Sequence, residues 1–255
     1  MTRVIKVGGR PQSDPSLPVA IARNWDAITR PMVVVHGGGD EVTTLQTAFG
    51  ATAQFIDGRR VTSAADVEMV RMALSGSANK RLVASLVGEG VRALGLSGED
   101  AALITATPLD AQRFGHVGQP HRINVELLWL LLDGGYLPVL SPVSRNACAG
   151  HGGNVPLGDA LNVNGDDAAS AVAVALAAKE LLLVADVPGV MVDGAVVPTL
   201  DAHGAAGLLS DGTASGGMRA KLEAALAAVA GGVERVRISD IAAVDDERRG
   251  TTLVA

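Results

Sequence analysis

A single cysteine, Cys148, is all the chain contains, so no intrachain disulfide can form and nothing points to an oxidising compartment. It is followed by Ala-Gly rather than set beside a basic residue, and reads as a structural or incidental thiol. A surplus of positive charge is also missing: 21 Lys and Arg stand against 27 Asp and Glu, a net charge of -6. That balance disfavours nucleic acid or an anionic membrane as partner and leaves room only for a local basic pocket. Long apolar runs are absent too. The longest nearly apolar stretch, residues 168–178, stops at Lys179-Glu180, well short of the roughly 18 to 20 residues that cross a bilayer. No apolar signal core follows the basic residues of the N-terminus, so a cytoplasmic location is expected.

What is present is an ordinary globular composition, 48% hydrophobic with 19% charge over 255 residues, long enough for one α/β domain with two coupled lobes. Short Val, Ile and Leu runs at residues 4–7, 32–35, 91–94, 137–140, 181–184 and 233–238 predict buried strands. Apolar residues recur every three or four positions over residues 62–74, 79–89, 166–178 and 217–230, which predicts helices. Such alternation builds a mostly parallel sheet covered by helices. Residues 105–122 and 143–159 break into Pro, Gly and His and read as hairpins or flaps, and a modest division falls near residue 160.

Five segments carry chemistry. Val4-Ile5-Lys6-Val7-Gly8-Gly9 is a strand bearing one lysine and ending in paired glycines, which let backbone amides approach a phosphate; a tight turn with a snorkelling lysine explains it equally well. Met32 to Val35 runs likewise into His36-Gly37-Gly38-Gly39, and ligands of open α/β sheets bind beyond such strand ends. Neither cluster has the spacing of a dinucleotide loop, and His36 in a glycine loop more often bonds backbone than acts as a base. Gly58-Arg59-Arg60-Val61-Thr62 offers Arg60 as a bidentate carboxylate clamp, or merely two solvated arginines ahead of a Thr N-cap. Asn162-Val163-Asn164-Gly165-Asp166-Asp167 precedes a buried helix; its aspartates suit the helix dipole, but capping does not require both asparagines. Finally, Asp186-Val187-Pro188-Gly189-Val190-Met191 follows a strand, and Ser215-Gly216-Gly217-Met218 opens a helix carrying Lys221.

Taken together, in this order and spacing, these segments resemble the amino-acid kinase family over nearly the whole chain, and within it the N-acetylglutamate kinases. The resemblance implies a three-layer αβα sandwich with a central, mostly parallel sheet. It implies one domain, residues 1–255, whose first lobe to about residue 160 takes the acyl amino acid and phosphates while the second takes ATP. The implied reaction moves the γ-phosphoryl group of ATP, accompanied by Mg2+, to the side-chain carboxylate of N-acetyl-L-glutamate, an acyl phosphate being formed in arginine biosynthesis. Lys6 and Lys221 would flank the transferring group, with Asp166 orienting both. Gly8, Gly9 and Gly38 would give amides to phosphates; Gly38, Gly39, Arg60 and Asn162 would bind the acceptor. Asp186 to Met191 and Thr213, Ala214 and Ser215 would hold the nucleotide. No protein ligand for the metal is assigned.

Departures from the family pattern are visible. Three prolines, Pro11, Pro15 and Pro18, follow the first glycine pair, so the first helix is expected to be trimmed, and Gly216 stands where the family often has an acid. Kinases of other acyl-glutamates or of carrier-linked aminoadipate or glutamate share most of these motifs, but residues 105–122 hold only Arg113 and Arg122 as permanent cations for an acidic carrier. A silent ligand sensor would not need Lys6, Asp166 and Lys221 together. Arginine-inhibited relatives carry an extra N-terminal helix that links dimers. Its lack here implies a homodimer without arginine feedback, joined through Leu82, Val83, Leu86 and Val87.

Overall fold

The computed structural model describes residues 2–56, 58–147 and 155–254; Cys148 lies outside them. Strands β1 (Arg3–Val7), β2 (Met32–His36), β3 (Ala93–Ser97), β4 (Leu137–Ser141), β5 (Glu180–Val184), β6 (Thr199–Asp201), β7 (Arg235–Ser239) and β8 (Thr251–Val254) form one sheet in the order β6-β8-β7-β5-β1-β2-β4-β3. Every pairing is parallel except β7 with β8. Helices α1 (Ser16–Asn24), α2 (Gly39–Ala48), α3 (Ala64–Val70), α4 (Asn79–Gly88), α5 (Val125–Asp133), α6 (Gly165–Ala175), α7 (Ala202–Ser210) and α8 (Gly216–Ala230) connect the strands.

Both faces of the sheet are covered, which is why its strands are apolar at successive positions rather than alternate ones. Ile5, Val7, Val34 and Leu182 pack with Leu17 and Ile21 of α1 and with Leu82 and Leu86 of α4. Val4, Val33, Val35 and Leu183 face the other way, onto Val172 of α6, Leu222 of α8 and Leu128 of α5. The result is the αβα sandwich expected. This two-residue alternation also sorts the polar residues of β1 and β2. Lys6 shares the parity of Val4 and so points to the α6 face. His36 shares the parity of Val34 and points to the α4 face.

A second, four-stranded sheet closes on itself from residues Ile104–Pro108, Val117–Ile123, Val143–Asn146 and Ala160–Val163. The segment 105–122 is therefore a paired hairpin built into this sheet. Its parallel register sets Asn162 beside Val117.

Several expected boundaries shift. The third strand begins at Ala93, two residues later than its apolar run, and β7 begins at Arg235. The helix expected at 62–74 starts at Ala64, capped by Ser63 in a reciprocal box with Asp66 rather than by Thr62. It then continues as π-helical turns over Arg71–Ala78 into α4. After Gly9 the chain makes a 3-10 turn, Arg10–Ser13, before the nine-residue α1, as the prolines suggested. The stripe proposed for self-association is largely used within the chain: Leu82 and Leu86 are buried in its own core, Val83 packs against that core, and Val87 is exposed.

Candidate active site

The C-terminal ends of β1 and β2 and the N-terminus of α6 converge on one buried charge cluster. Asn164 caps α6 by accepting the Asp166 N-H at 2.7 Å, which fixes Asp166 in the first turn, where the helix dipole favours an anion. Lys6 Nζ lies 2.9 Å from Asp166 Oδ1, and Lys221 Nζ, from the second turn of α8, lies 3.3 Å from Oδ2. One carboxylate thus holds two ammonium groups, and the cluster carries a net charge of about +1. The approach is close, for a Cβ on Gly165 would stand 3.2 Å from Lys6 Cε.

Burial dominates the titration of Lys6, pushing it down to about 8 despite the attraction of Asp166. For Asp166 burial is again the largest single influence and raises its pKa. The charges and hydrogen bonds of Lys6 and Lys221 together outweigh it, so the carboxyl sits below its ordinary value. His36 is fully buried and pushed down to about 4, chiefly by burial. It is neutral, with Nδ1 2.9 Å from the Gly37 carbonyl and Nε2 3.1 Å from Asn79 Nδ2. Its role is backbone support, as its setting in a glycine loop suggested.

Two clefts meet at this cluster. The first, of about 240 Å³, is lined by Lys6, Asp166, Gly38, Gly39, Arg60 and Asn162 among others. All four residues expected to bind the acceptor are therefore together. Arg60 Nη2 donates to the Gly39 carbonyl at 2.9 Å and to Thr43 Oγ1 at 2.8 Å, Nη1 donates to Gln46 Oε1, and the guanidinium lies over the Phe55 ring. Three of the five guanidinium N-H groups, both on Nη2 among them, are thus used in holding it, and the Nε-H and one Nη1-H remain for a ligand. Asn162 Nδ2 donates to Thr62 Oγ1, and its carbonyl oxygen is the group left to read an amide. Gly38 has φ 145°, and a Cβ there would come within 2.8 Å of Leu74, so this position requires glycine.

The second cleft, about 520 Å³, is lined by Gly8, Gly9, Asp186, Val187, Met218 and Lys221 among others. Gly9 and Gly39 border both clefts. Not every residue named for the nucleotide lines this cleft. The Gly8 N-H donates to the Val184 carbonyl at 3.1 Å, extending the sheet ladder. Val190 and Ala214 are buried in the core and give their N-H groups to Thr251 Oγ1 and the Leu208 carbonyl, which leaves them no side-chain surface for a nucleotide. The Pro188 carbonyl accepts from Ser239, and a Cβ on Gly189 would meet Thr251. Met191, Thr213 and Ser215 lie outside the lining of this cleft.

Residues not anticipated also stand at the site. Arg59, 2.9 Å from Asp167, and Phe55 line the first cleft, and Gln46 passes the Arg60 contact on to Asp66 at 2.6 Å. The signal was a two-strand hairpin, Phe55–Ile56 with Arg59–Arg60, turning at Gly58 with φ 74°.

With Arg60 replaced by lysine, the planar fork is lost while the charge stays. The Michaelis constant for the acceptor is expected to rise about tenfold, with a smaller change in kcat. Initial-rate kinetics check this, and an unchanged constant removes Arg60 from the acceptor site.

Residues 1–240 match the amino acid kinase family. The chain is 40% identical to the acetylglutamate kinase of Chloroflexus aurantiacus over 245 residues, covering 95% of this chain and 93% of that protein. It is also 40% identical to the acetylglutamate kinase of Roseiflexus sp. over 255 residues, covering 99% and 93%. Among solved structures, smu.665 from Streptococcus mutans superposes with a TM-score of 0.88 at 32% identity, covering 100% of this chain and 98% of that one. Fold, charge cluster and sequence likeness agree, and the chain belongs to the amino acid kinase family.

Proposed function

We propose that this chain transfers the γ-phosphoryl group of ATP to the side-chain carboxylate of N-acetyl-L-glutamate, the activity named for its 40% identical relatives. The observation that carries the reading is the buried Lys6-Asp166-Lys221 cluster between two clefts. A glutamate side chain, with a reference pKa of about 4.3, is already ionised at neutral pH and needs no base to become a nucleophile. The neutral, sequestered His36 agrees with that. The difficulty is repulsion between two anions, and a preorganised positive site addresses it.

In this reading the acceptor lies in the smaller cleft, its α-carboxylate on Arg60 and its acetamido group beside Asn162, and the triphosphate lies along Gly9 and Lys221. Lys6 and Lys221 then flank the phosphoryl group from two sides while Asp166 holds both in place. A carboxylate oxygen bonds to the γ-phosphorus as the bond to the β-phosphate oxygen breaks, and ADP leaves with that electron pair. Mg2+ enters as part of the nucleotide substrate and keeps several waters.

The lobe assignment follows the same reading, residues up to about 160 serving mainly the acceptor and the rest mainly ATP. No helix among the described residues is long and apolar enough to cross a membrane. A homodimer is part of the proposal: β3 is an open sheet edge, and exposed Leu94, Val87 and Tyr136 sit on and around it. Light scattering at twice 25.9 kDa supports it, and a monomer or hexamer rules it out.

The pH dependence follows from Lys6. Protonated below about 8 and neutral above, it supplies charge only on the acid side. The free-enzyme profile of kcat/KM is expected to fall as pH rises through about 8, well before an ordinary lysine would titrate. A profile flat to pH 10 would mean that no essential lysine titrates near 8, and the lowered Lys6 would not set the alkaline limb. Turnover with N-acetyl-, N-succinyl- and carrier-linked acceptors tests the acyl group, and preference for either of the latter two overturns the assignment.

A further inference from the structure

The nucleotide cleft has a second cation at its mouth, besides Lys221, that the family motifs do not include. Arg10 opens the 3-10 turn immediately after Gly9, and the turn is firmly placed. Pro11 is buried against Gly8, and Gln12 Nε2 donates to the Gly37 carbonyl at 2.8 Å and to the Gly8 carbonyl at 3.3 Å, tying the two glycine loops together. From this fixed backbone the Arg10 side chain reaches across the opening, with Nη1 2.6 Å from Asp186 Oδ2 and Nε 3.7 Å from Asp40 Oδ2. Its side chain is 74% exposed, and both carboxylates are at least half exposed.

The charges lining this cleft are Arg10 and Lys221 against Asp40 and Asp186, two positive and two negative, which sum to zero. A triphosphate remains anionic even with its Mg2+, so a neutral lining does not suit it. Lys221 is already shared with Asp166. Exposed ion pairs are worth little and exchange readily, whereas a guanidinium fork matches phosphate oxygens in two parallel bonds.

We infer that Arg10 is a phosphate-binding residue of the nucleotide cleft, leaving Asp40 and Asp186 for the triphosphate when ATP enters. The inference rests on the proposal that ATP is the phosphoryl donor. It makes Arg10 a determinant of nucleotide affinity, with little part in acceptor binding.

The test compares Arg10→Gln, Arg10→Lys and Asp40→Asn. Arg10→Gln is expected to raise the Michaelis constant for MgATP about tenfold or more, leaving that for the acceptor unchanged, with Arg10→Lys intermediate. If Arg10 served only as a strap between the carboxylates, Asp40→Asn would reproduce the defect. Under the inference Asp40→Asn leaves ATP affinity equal or better, because it removes a competing anion. An unchanged constant in Arg10→Gln, or an equal loss in Asp40→Asn, overturns the inference. Calorimetric titration of each variant with MgATP reads Arg10 independently of the acceptor, so an error about the acceptor would show as absent acyl phosphate with the Arg10 effect intact.

Discussion

Replacing Lys6 or Lys221 by alanine is expected to lower kcat on the order of 10²- to 10³-fold while changing the Michaelis constants only a few-fold. Each ammonium group already sits on Asp166 before substrate arrives, so its gain comes when charge spreads over the phosphoryl oxygens. Removing either leaves a neutral lysine-aspartate pair where a surplus of positive charge stood. Arginine should not restore the Lys6 position: the side chain is buried, and Gly165 leaves no room beside Cε. Steady-state kinetics with saturating acceptor decide the matter. Loss of binding with kcat intact would take both lysines off the catalytic list.

Asp166→Asn has a different signature, because it removes the anion and leaves two cations close together and largely buried. Breaking a buried pair from one side costs about 3 to 5 kcal/mol, so a marked fall in Tm is expected. Attraction to Asp166 raises the Lys6 pKa and repulsion from Lys221 lowers it. Without the carboxylate the ammonium therefore titrates below about 8, and the alkaline fall in kcat/KM moves toward neutrality. Activity drops as well, on the order of 10²-fold or more, since neither lysine keeps its orientation. Thermal melts and a pH-rate profile of the same variant check both effects. A stable variant with an unmoved alkaline limb would mean that Asp166 does not organise the cluster.

How far the sequence could be read depended on the range of the interaction. Residues 4–7, 32–35 and 181–184 were legible as strands because burial on both faces leaves an unbroken apolar run. The opposite fates of Lys6 and His36 follow from strand parity once the neighbouring helices are placed. The convergence of Lys6, Asp166 and Lys221 was different, since it joins residues 160 and 55 positions apart, a separation no local pattern encodes; only family resemblance suggested it.

Other features were hidden for physical reasons. Val190 and Ala214 lie in loops whose composition looks like ligand surface, yet hydrogen bonds to Thr251 and Leu208 fold them into the core. Leu82 and Leu86 form an apolar stripe that reads the same whether it meets the chain's own sheet or a second copy, and the structure assigns it to the sheet. The Phe55–Ile56 and Arg59–Arg60 strands are too short for periodicity to register, although they bring Arg60 to the first cleft. Gln12 and Arg10 sit in a proline-rich turn with no repeating pattern, and their partners come from distant loops.

The most direct test of the central claim is trapping the product with hydroxylamine while ADP is counted in the same reaction. With N-acetyl-L-glutamate and MgATP present, hydroxamate and ADP should appear in equal amounts, both should vanish when the acceptor is left out, and both should collapse in Lys6→Ala. ADP released without hydroxamate, or no ADP at all under these conditions, would contradict phosphoryl transfer to the side-chain carboxylate.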